Sequence, residues 1–212
     1  MNTTHQMQMW SREFGSDYTE RNDQTVDDLD AYYKANFNVT RNEMNSHFLT
    51  DVDRSARILE VGCNIGLQLG VLQKMGFSNL YGIELQERAV KKVYQNFSGI
   101  RVMQGSAFEL PFQDHYFDLV YTSGVLIHIH PNDLSKVMGE MYRCTGRLIW
   151  GFEYFAGQIE EIEYRGHKDL LWRADYATLF QKSFPTLQVC LKEFFKYTAS
   201  ENRDCMYLLK KG

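Results

Sequence analysis

Several features are scarce in this sequence, and each scarcity narrows the reading. The four cysteines, Cys63, Cys144, Cys190 and Cys205, are scattered, with no C-x-x-C pair and no histidine at ligand spacing. That argues against a zinc site or any other metal centre, against a disulfide framework, and for a reducing compartment. There are three prolines, no internal repeats and no low-complexity tracts. No apolar run approaches the roughly 18 residues of a membrane span. The opening MNTTHQMQMW lacks the basic and apolar regions of a signal peptide, so a cytoplasmic protein without a membrane partner is expected. A basic excess is missing too: 23 Lys+Arg against 27 Asp+Glu leave a net charge of −4. Such a balance supplies no general clamp for a phosphate backbone, so nucleic acid is not an expected partner.

What remains is an ordinary globular chain, long enough at 212 residues for one good-sized domain and short for two. Aromatic residues are its one excess, with 14 Phe, 13 Tyr and 3 Trp, many of them outside the expected strands. The clearest change of composition falls near residue 55. Residues 1–54 are polar, acidic and Asn-rich. One helix is expected at 25–38, opening on Asp27, Asp28 and Asp30 as the helix dipole favours. The capping-box spacing of Thr40 and Glu43 starts another, to about residue 49. With too few large apolar residues to bury alone, this part is expected to be a helical cap of the same domain.

Residues 55–212 alternate short apolar runs with helical patterns. Strands are expected at 57–61, 79–84, 100–104, 117–122 and 147–152, with helices at 67–75, 87–97 and from Pro131 to Arg143. After a helix near 174–182, strands at 187–197 and 205–210 flank Asn202-Arg203-Asp204 and read as an antiparallel hairpin. The pattern predicts an α/β fold: a doubly wound, mostly parallel sheet with a terminal antiparallel hairpin.

Glu60, Gly62, Asn64 and Gly66 close the first strand and open the first helix of this unit. A chain that turns sharply here and approaches a ligand needs small residues, and the helix start offers unpaired N–H groups. Glu84 ends the second strand, 18 residues beyond Gly66, where a carboxylate can take both hydroxyls of a ribose. The bland alternative is a tight strand-to-helix turn beside a surface glutamate. A dinucleotide fingerprint needs a middle glycine for its pyrophosphate, and Asn64 and Ile65 stand there instead.

ILEVGCNIG, YGIE, QGSAFELPF and FDLVYTSGVLIHI, in this order and spacing, resemble the successive motifs of class I S-adenosylmethionine (SAM)-dependent methyltransferases across about residues 55–152. That resemblance implies a seven-stranded sheet with an antiparallel strand, a Rossmann-like SAM-binding domain over 55–212, and S-adenosylhomocysteine (SAH) as product. It places Glu60, Gly62, Asn64 and Gly66 around the methionine part and Glu84 on the ribose, with Leu85 against the adenine. Ser106, Ala107 and Phe108 would flank the adenine edge. Thr122, Ser123 and Gly124 would line the sulfonium and the acceptor. The segment WSREFGSDYTERN at 10–22, Glu163-Tyr-Arg-Gly-His167 and Leu171-Trp172 are similar to methylases associated with pseudaminic-acid and related surface-sugar pathways.

Methyl transfer from a sulfonium asks the protein to align two reactants, exclude water and, for some acceptors, remove a proton. His128 and His130 follow the fourth strand and are the candidate bases, with an acidic limb expected near pH 6–7 from an ordinary imidazole. His130-Pro-Asn-Asp133 is equally a helix-start turn. Tyr18 and Arg21 lie in a segment that could fold over the SAM pocket or be a solvated helix face. The insertion at about 153–173 sits above the carboxyl ends of the strands, where acceptor sites form. Its Glu153, Tyr154, Tyr164, Arg165, His167 and Trp172 suit a sugar face carrying a carboxylate or phosphate. The expected function is a SAM-dependent methyltransferase, monomeric or homodimeric, acting at O or N of a small acceptor such as an anionic sugar or nucleotide sugar. Another small metabolite or a protein is the alternative acceptor; a nicotinamide-dependent oxidoreductase and an inactive scaffold are the rival classes.

Overall fold

The computed structural model describes residues 3–212. Four helices precede the first strand: α1 (His5–Trp10), α2 (Glu13–Arg21), α3 (Val26–Phe37) and α4 (Arg41–Phe48). Both later ones start where the sequence says they should. Thr25 and Thr40 each cap the backbone N–H three residues on, and Asp28 and Glu43 return the bond to the cap. Asn38, left-handed at φ 59°, stops α3.

Then come β1 (Arg57–Val61), α5 (Leu67–Lys74), β2 (Asn79–Glu84), α6 (Glu87–Asn96), β3 (Arg101–Gln104), β4 (Phe117–Ser123), α7 (Leu134–Cys144) and β5 (Thr145–Tyr154). Pro131 opens a short 3₁₀ turn, Pro131–Asp133, and α7 begins only after it. A two-residue pair, β6 (Glu160–Glu161) and β7 (Trp172–Arg173), closes the insertion as a small antiparallel ladder. The chain ends with α8 (Tyr176–Ser183), β8 (Gln188–Lys196) and β9 (Arg203–Lys210). Arg203 and Asp204, expected in the connection, belong to β9 because they pair with Lys196 and Phe195.

The seven strands run in the order β3-β2-β1-β4-β5-β9-β8. β9 lies antiparallel between β5 and β8, and the other pairings are parallel. This is the doubly wound arrangement the β/α alternation predicts, with the terminal hairpin folded back into the sheet. Each face carries its own core. Leu134, Val137, Met138 and Met141 of α7, at the i, i+3, i+4, i+7 spacing of one helix face, pack on one side with Ala177 and Phe180 of α8. Met44 and Phe48 of α4, Leu69 and Leu72 of α5 and Val90 and Val93 of α6 cover the other. Strand order reverses between β1 and β4, and at that switch point the carboxyl ends of β1, β2 and β4 open a crevice.

Candidate functional site

The crevice is built from the turn after β1. Gly62 and Cys63 donate their backbone N–H groups to the Ile83 carbonyl at 2.8 and 3.1 Å, which folds the turn onto β2. Gly62 and Gly66 take φ values of +75° and +80°, a region L side chains avoid. A Cβ on Gly62 would stand 2.8 Å from a Val125 methyl carbon. Asn64 is itself left-handed at φ 44°. Its N–H donates to one oxygen of Glu84 at 2.8 Å, while the N–H of Gln86 donates to the other at 2.9 Å. Glu84 thus ties the glycine turn to the end of β2, and burial raises its pKa against the lowering effect of those two N–H groups.

Glu60, Gly62, Asn64, Glu84, Leu85, Ser106, Ala107, Phe108, Ser123, Gly124 and His128 line one cleft, and Tyr18 reaches it from the cap. Gly66 stands just behind, as the residue from which α5 starts. Thr122 is fully buried beside the wall and does not face the cleft. Arg21 is exposed and stays outside. Gln6, Met7, Trp10, Asn22, Gln24 and Leu29 complete the lining from α1 to α3. The 10–22 segment contained Trp10 and Asn22 among its signature letters; nothing in the sequence pointed to Gln6 or Met7. Two buried polar atoms of the lining, Trp10 Nε1 and Gln68 Oε1, have no partner within the protein. Buried polar groups are normally satisfied, so a cleft presenting one unpaired donor and one unpaired acceptor fits a polar ligand such as SAM.

Glu60 lies at the floor of this cleft. Burial pushes its pKa up to about 8, although the Tyr121 hydroxyl donates to it at 2.9 Å. His128 occupies a 3₁₀ turn, Leu126–His128, directly after β4. Its Nδ1 lies 2.6 Å from the Leu170 carbonyl, so Nδ1 carries the proton and Nε2 is left as an acceptor. Burial lowers its pKa to about 4. The ordinary imidazole value behind the expected limb at pH 6–7 therefore does not apply. His130 is placed otherwise: its Nδ1 accepts the Asn132 N–H at 3.2 Å, capping the turn that Pro131 opens, and it does not face the cleft.

The six residues expected at the acceptor separate into three groups. Glu153 is 1% exposed and receives the N–H groups of Val125 and Ile127 at 3.2 and 3.4 Å. It holds the turn that carries His128, and burial pushes it to about 7. Trp172 is also buried, its ring 5.2 Å from that of His130. Tyr154 is half-buried at the end of β5, its pKa raised chiefly by burial. Tyr164 approaches the cleft wall, 5.3 Å from the His128 ring. Arg165 and His167 are exposed, at a tight turn where Arg165 (φ 53°) and Gly166 (φ 77°) are both left-handed. The insertion meets the cap there: Phe14 lies 6.0 Å from Tyr164 and 5.5 Å from His167, while Trp10 packs 4.5 Å from His128.

Residues 59–148 match the family of methyltransferase domains. Among curated proteins, an uncharacterized protein of Haemophilus influenzae is 30% identical over 93 residues, 41% of this chain and 37% of that protein. The Arabidopsis thaliana 24-methylenesterol C-methyltransferase 2 is 28% identical over 131 residues, 58% of this chain and 36% of that one. The chain thus spans between a third and two-fifths of the length of these relatives. Among solved structures, the 1,6-didemethyltoxoflavin-N1-methyltransferase of Burkholderia thailandensis superposes with a TM-score of 0.75 at 12% identity, covering 100% of this chain and 91% of that one. The magnesium protoporphyrin IX methyltransferase of Synechocystis, solved with SAM bound, gives 0.69 at 14% identity and covers 100% of both. At such identities the likeness is one of fold, and the fold is that of class I SAM-dependent methyltransferases.

Proposed function

We propose, from a chain with a methyltransferase domain at residues 59–148 set in the class I fold, that this protein is a SAM-dependent methyltransferase acting on a small polar molecule. The observation that carries the reading is the placing of Glu84. It lines the cleft, buried between the glycine turn and Gln86, with one backbone N–H on each carboxylate oxygen. A carboxylate has about four acceptor positions, so one remains on each oxygen for the two hydroxyls of a ribose. Glu60, Gly62 and Asn64 would hold the methionine part, with Gly66 fixing their turn. Leu85, Ser106, Ala107 and Phe108 would bound the adenine, and Ser123 and Gly124 the reacting end. When bound, SAM supplies an activated methyl group on a sulfonium. The protein's own contribution is alignment and exclusion of water, with Tyr18 and Trp10 closing the cleft from above. Nε2 of His128, held as an acceptor by the bond at Nδ1, is the group placed to take a proton from the acceptor.

The acceptor is read as a sugar or nucleotide sugar bearing an anionic group, in keeping with the similarity of the 10–22 and 163–172 segments to surface-sugar methylases. Tyr164 beside His128 offers an aromatic face for it, and Arg165 and His167 stand at the rim. Calorimetry with SAM, SAH and NAD should give binding of the first two and none of the third. Mass spectrometry of a panel of nucleotide sugars and sugar phosphates incubated with SAM should then show products heavier by one methylene. NAD binding in place of SAM would overturn the cofactor assignment. Methylation confined to neutral acceptors would overturn the anionic one.

A further inference from the structure

Helices α1 and α2 roof the cleft with little apolar burial of their own. The residues they bury outright are Gln6, Gly15 and Thr19, while Trp10, Phe14 and Tyr18 remain half-buried. Thr19 makes only long hydrogen bonds, 3.4 Å each, to Asn64 Oδ1 and Gln86 Oε1. Elements that bury few apolar contacts lie at the low end of local stability, so core packing contributes little to keeping α2 in place.

Charge contributes more. Glu20, in the last turn of α2, meets Arg88 of α6 at 2.6 Å. Asp23, in the connection to α3, meets Lys92 one turn further along α6 at 2.8 Å. Asp27, in the first turn of α3, meets Lys74 at the end of α5 at 2.6 Å. The three pairs form a row along residues 20–27, with the acid on the cap and the base on the domain in every case. Glu87 and Lys91, the other charges of α6, pair with each other. The row backs directly onto the cleft: Asn22 and Gln24, which stand between the paired acids, belong to its lining, as do Tyr18 and Leu29 on either side. A single exposed ion pair holds weakly. Three pairs of one polarity on one short segment must release together before that segment can lift. All three acids are exposed, so dissolved salt screens them.

We propose that Glu20–Arg88, Asp23–Lys92 and Asp27–Lys74 form a salt-sensitive latch that fastens α2 over the cleft and sets the rate at which the ligand of the cleft exchanges. The inference rests on the cleft being the SAM site. Two measurements read it. Release of SAH is followed by stopped flow through tryptophan fluorescence, since Trp10 lines the cleft. Lifting of α2 in the ligand-free protein is followed by amide hydrogen exchange at residues 13–21, which needs no cofactor.

Raising NaCl from 0.1 to 1 M cuts the screening length from about 10 to 3 Å. Release of SAH from the wild type should quicken about three- to thirtyfold, the combined effect of three exposed pairs. The triple variant Lys74→Gln, Arg88→Gln, Lys92→Gln should release SAH that fast already at 0.1 M and respond little to salt. Its α2 amides should exchange faster by a similar factor, whereas those of α7, on the other face of the sheet, should not. That contrast separates an opened latch from a destabilised fold. Charge exchange covers the case in which the triple variant fails to fold: Arg88→Glu alone should speed release, and adding Glu20→Arg should bring the rate back toward the wild type. Equal rates of SAH release and of α2 exchange in wild type and triple variant at 0.1 M overturn the latch, and so does a charge exchange that restores nothing. Should the wild type not bind SAH, the methyltransferase reading fails, while the exchange comparison at α2 still decides the latch.

Discussion

Replacing Glu84 by alanine removes both the role seen in the fold and the role proposed for this carboxylate toward the cofactor. Within the protein, the N–H groups of Asn64 and Gln86, now bonded at 2.8 and 2.9 Å, lose their acceptors. Each unsatisfied buried donor costs about 1–3 kcal/mol, so stability should drop by about 2–6 kcal/mol, which is visible as a large fall in Tm. Toward the cofactor, the two hydrogen bonds proposed to the ribose hydroxyls are lost, nominally about 1.5–3 kcal/mol each. The burial that raises the pKa of Glu84 offsets part of that gain, because keeping the group ionised costs energy near neutrality. We therefore expect a net loss of about 1.5–3 kcal/mol, roughly ten- to a hundredfold in Kd. Calorimetry with SAH and with its 2′,3′-dideoxy analogue, on wild type and variant, isolates the ribose contribution. SAH should weaken and the dideoxy analogue should not, since the bonds at issue are absent from it. A folded Glu84→Ala with unchanged SAH affinity, or with equal losses for both ligands, refutes the assignment.

Four further outcomes follow from the site. His128→Asn should lower kcat by about a hundredfold or more while SAM affinity holds; because burial lowers the pKa of the imidazole to about 4, the wild-type rate should show no limb between pH 6 and 7, and a mutant with wild-type kcat would leave His128 a structural role. Glu60, Glu153 and Asp204 keep protons up to about 8, 7 and 7, which the unfolded chain releases near 4.5, 4.5 and 3.8. The stability they contribute is complete below the unfolded values and is lost as pH rises through 7–8. His128 acts oppositely, its contribution being lost as pH falls from 6.5 toward 4, so Tm should be higher at pH 6.5 than at pH 8, and Glu153→Gln should narrow that difference. Gly62→Ala should weaken SAH binding and lower Tm more than Gly76→Ala: both have positive φ, but only Gly62 has a neighbour, 2.8 Å from the added carbon. Arg165→Ala should raise the acceptor KM by about ten- to a hundredfold and leave SAM affinity unchanged; equal weakening of both would make the insertion a structural element only.

The parts of the fold that were legible are those whose physics is local. The runs at 57–61 and 79–84 are bounded by turn residues and became strands over those same positions. The acidic opening of the 25–38 segment and the capping box at Thr40 located α3 and α4 to within a residue. That the central motifs line one cleft was legible for the same reason, since their residues stand at neighbouring strand ends. The first two helices were harder to see because their contacts are to residues far along the chain. Trp10, Phe14 and Tyr18 do stand at helical spacing, but with polar neighbours they resemble a solvated face until His128 and Tyr164 pack against them. Arg41 gave no signal at all: an arginine in an acidic, Asn-rich segment reads as exposed, and its burial depends on Tyr33, Trp150 and Phe152. In the insertion the composition was informative and the direction of the side chains was not, since the left-handed pair at Arg165 and Gly166 turns Arg165 and His167 to solvent.

The cap has a thermodynamic consequence. Helices α1 and α2 contribute Gln6, Met7, Trp10 and Tyr18 to the cofactor cleft, and the same helices hold the insertion through Phe14 and through the bond from Gln6 Nε2 to the Asp169 carbonyl at 3.0 Å. One packed body therefore borders both proposed ligand positions, and a change in its packing at one reaches the other. Whatever factor the cofactor adds to acceptor affinity, the acceptor must return to cofactor affinity. Trp10→Ala, which removes the ring packed on Phe14, Tyr18 and His128, should reduce that shared factor toward one in calorimetric titrations of each ligand in the presence and absence of the other.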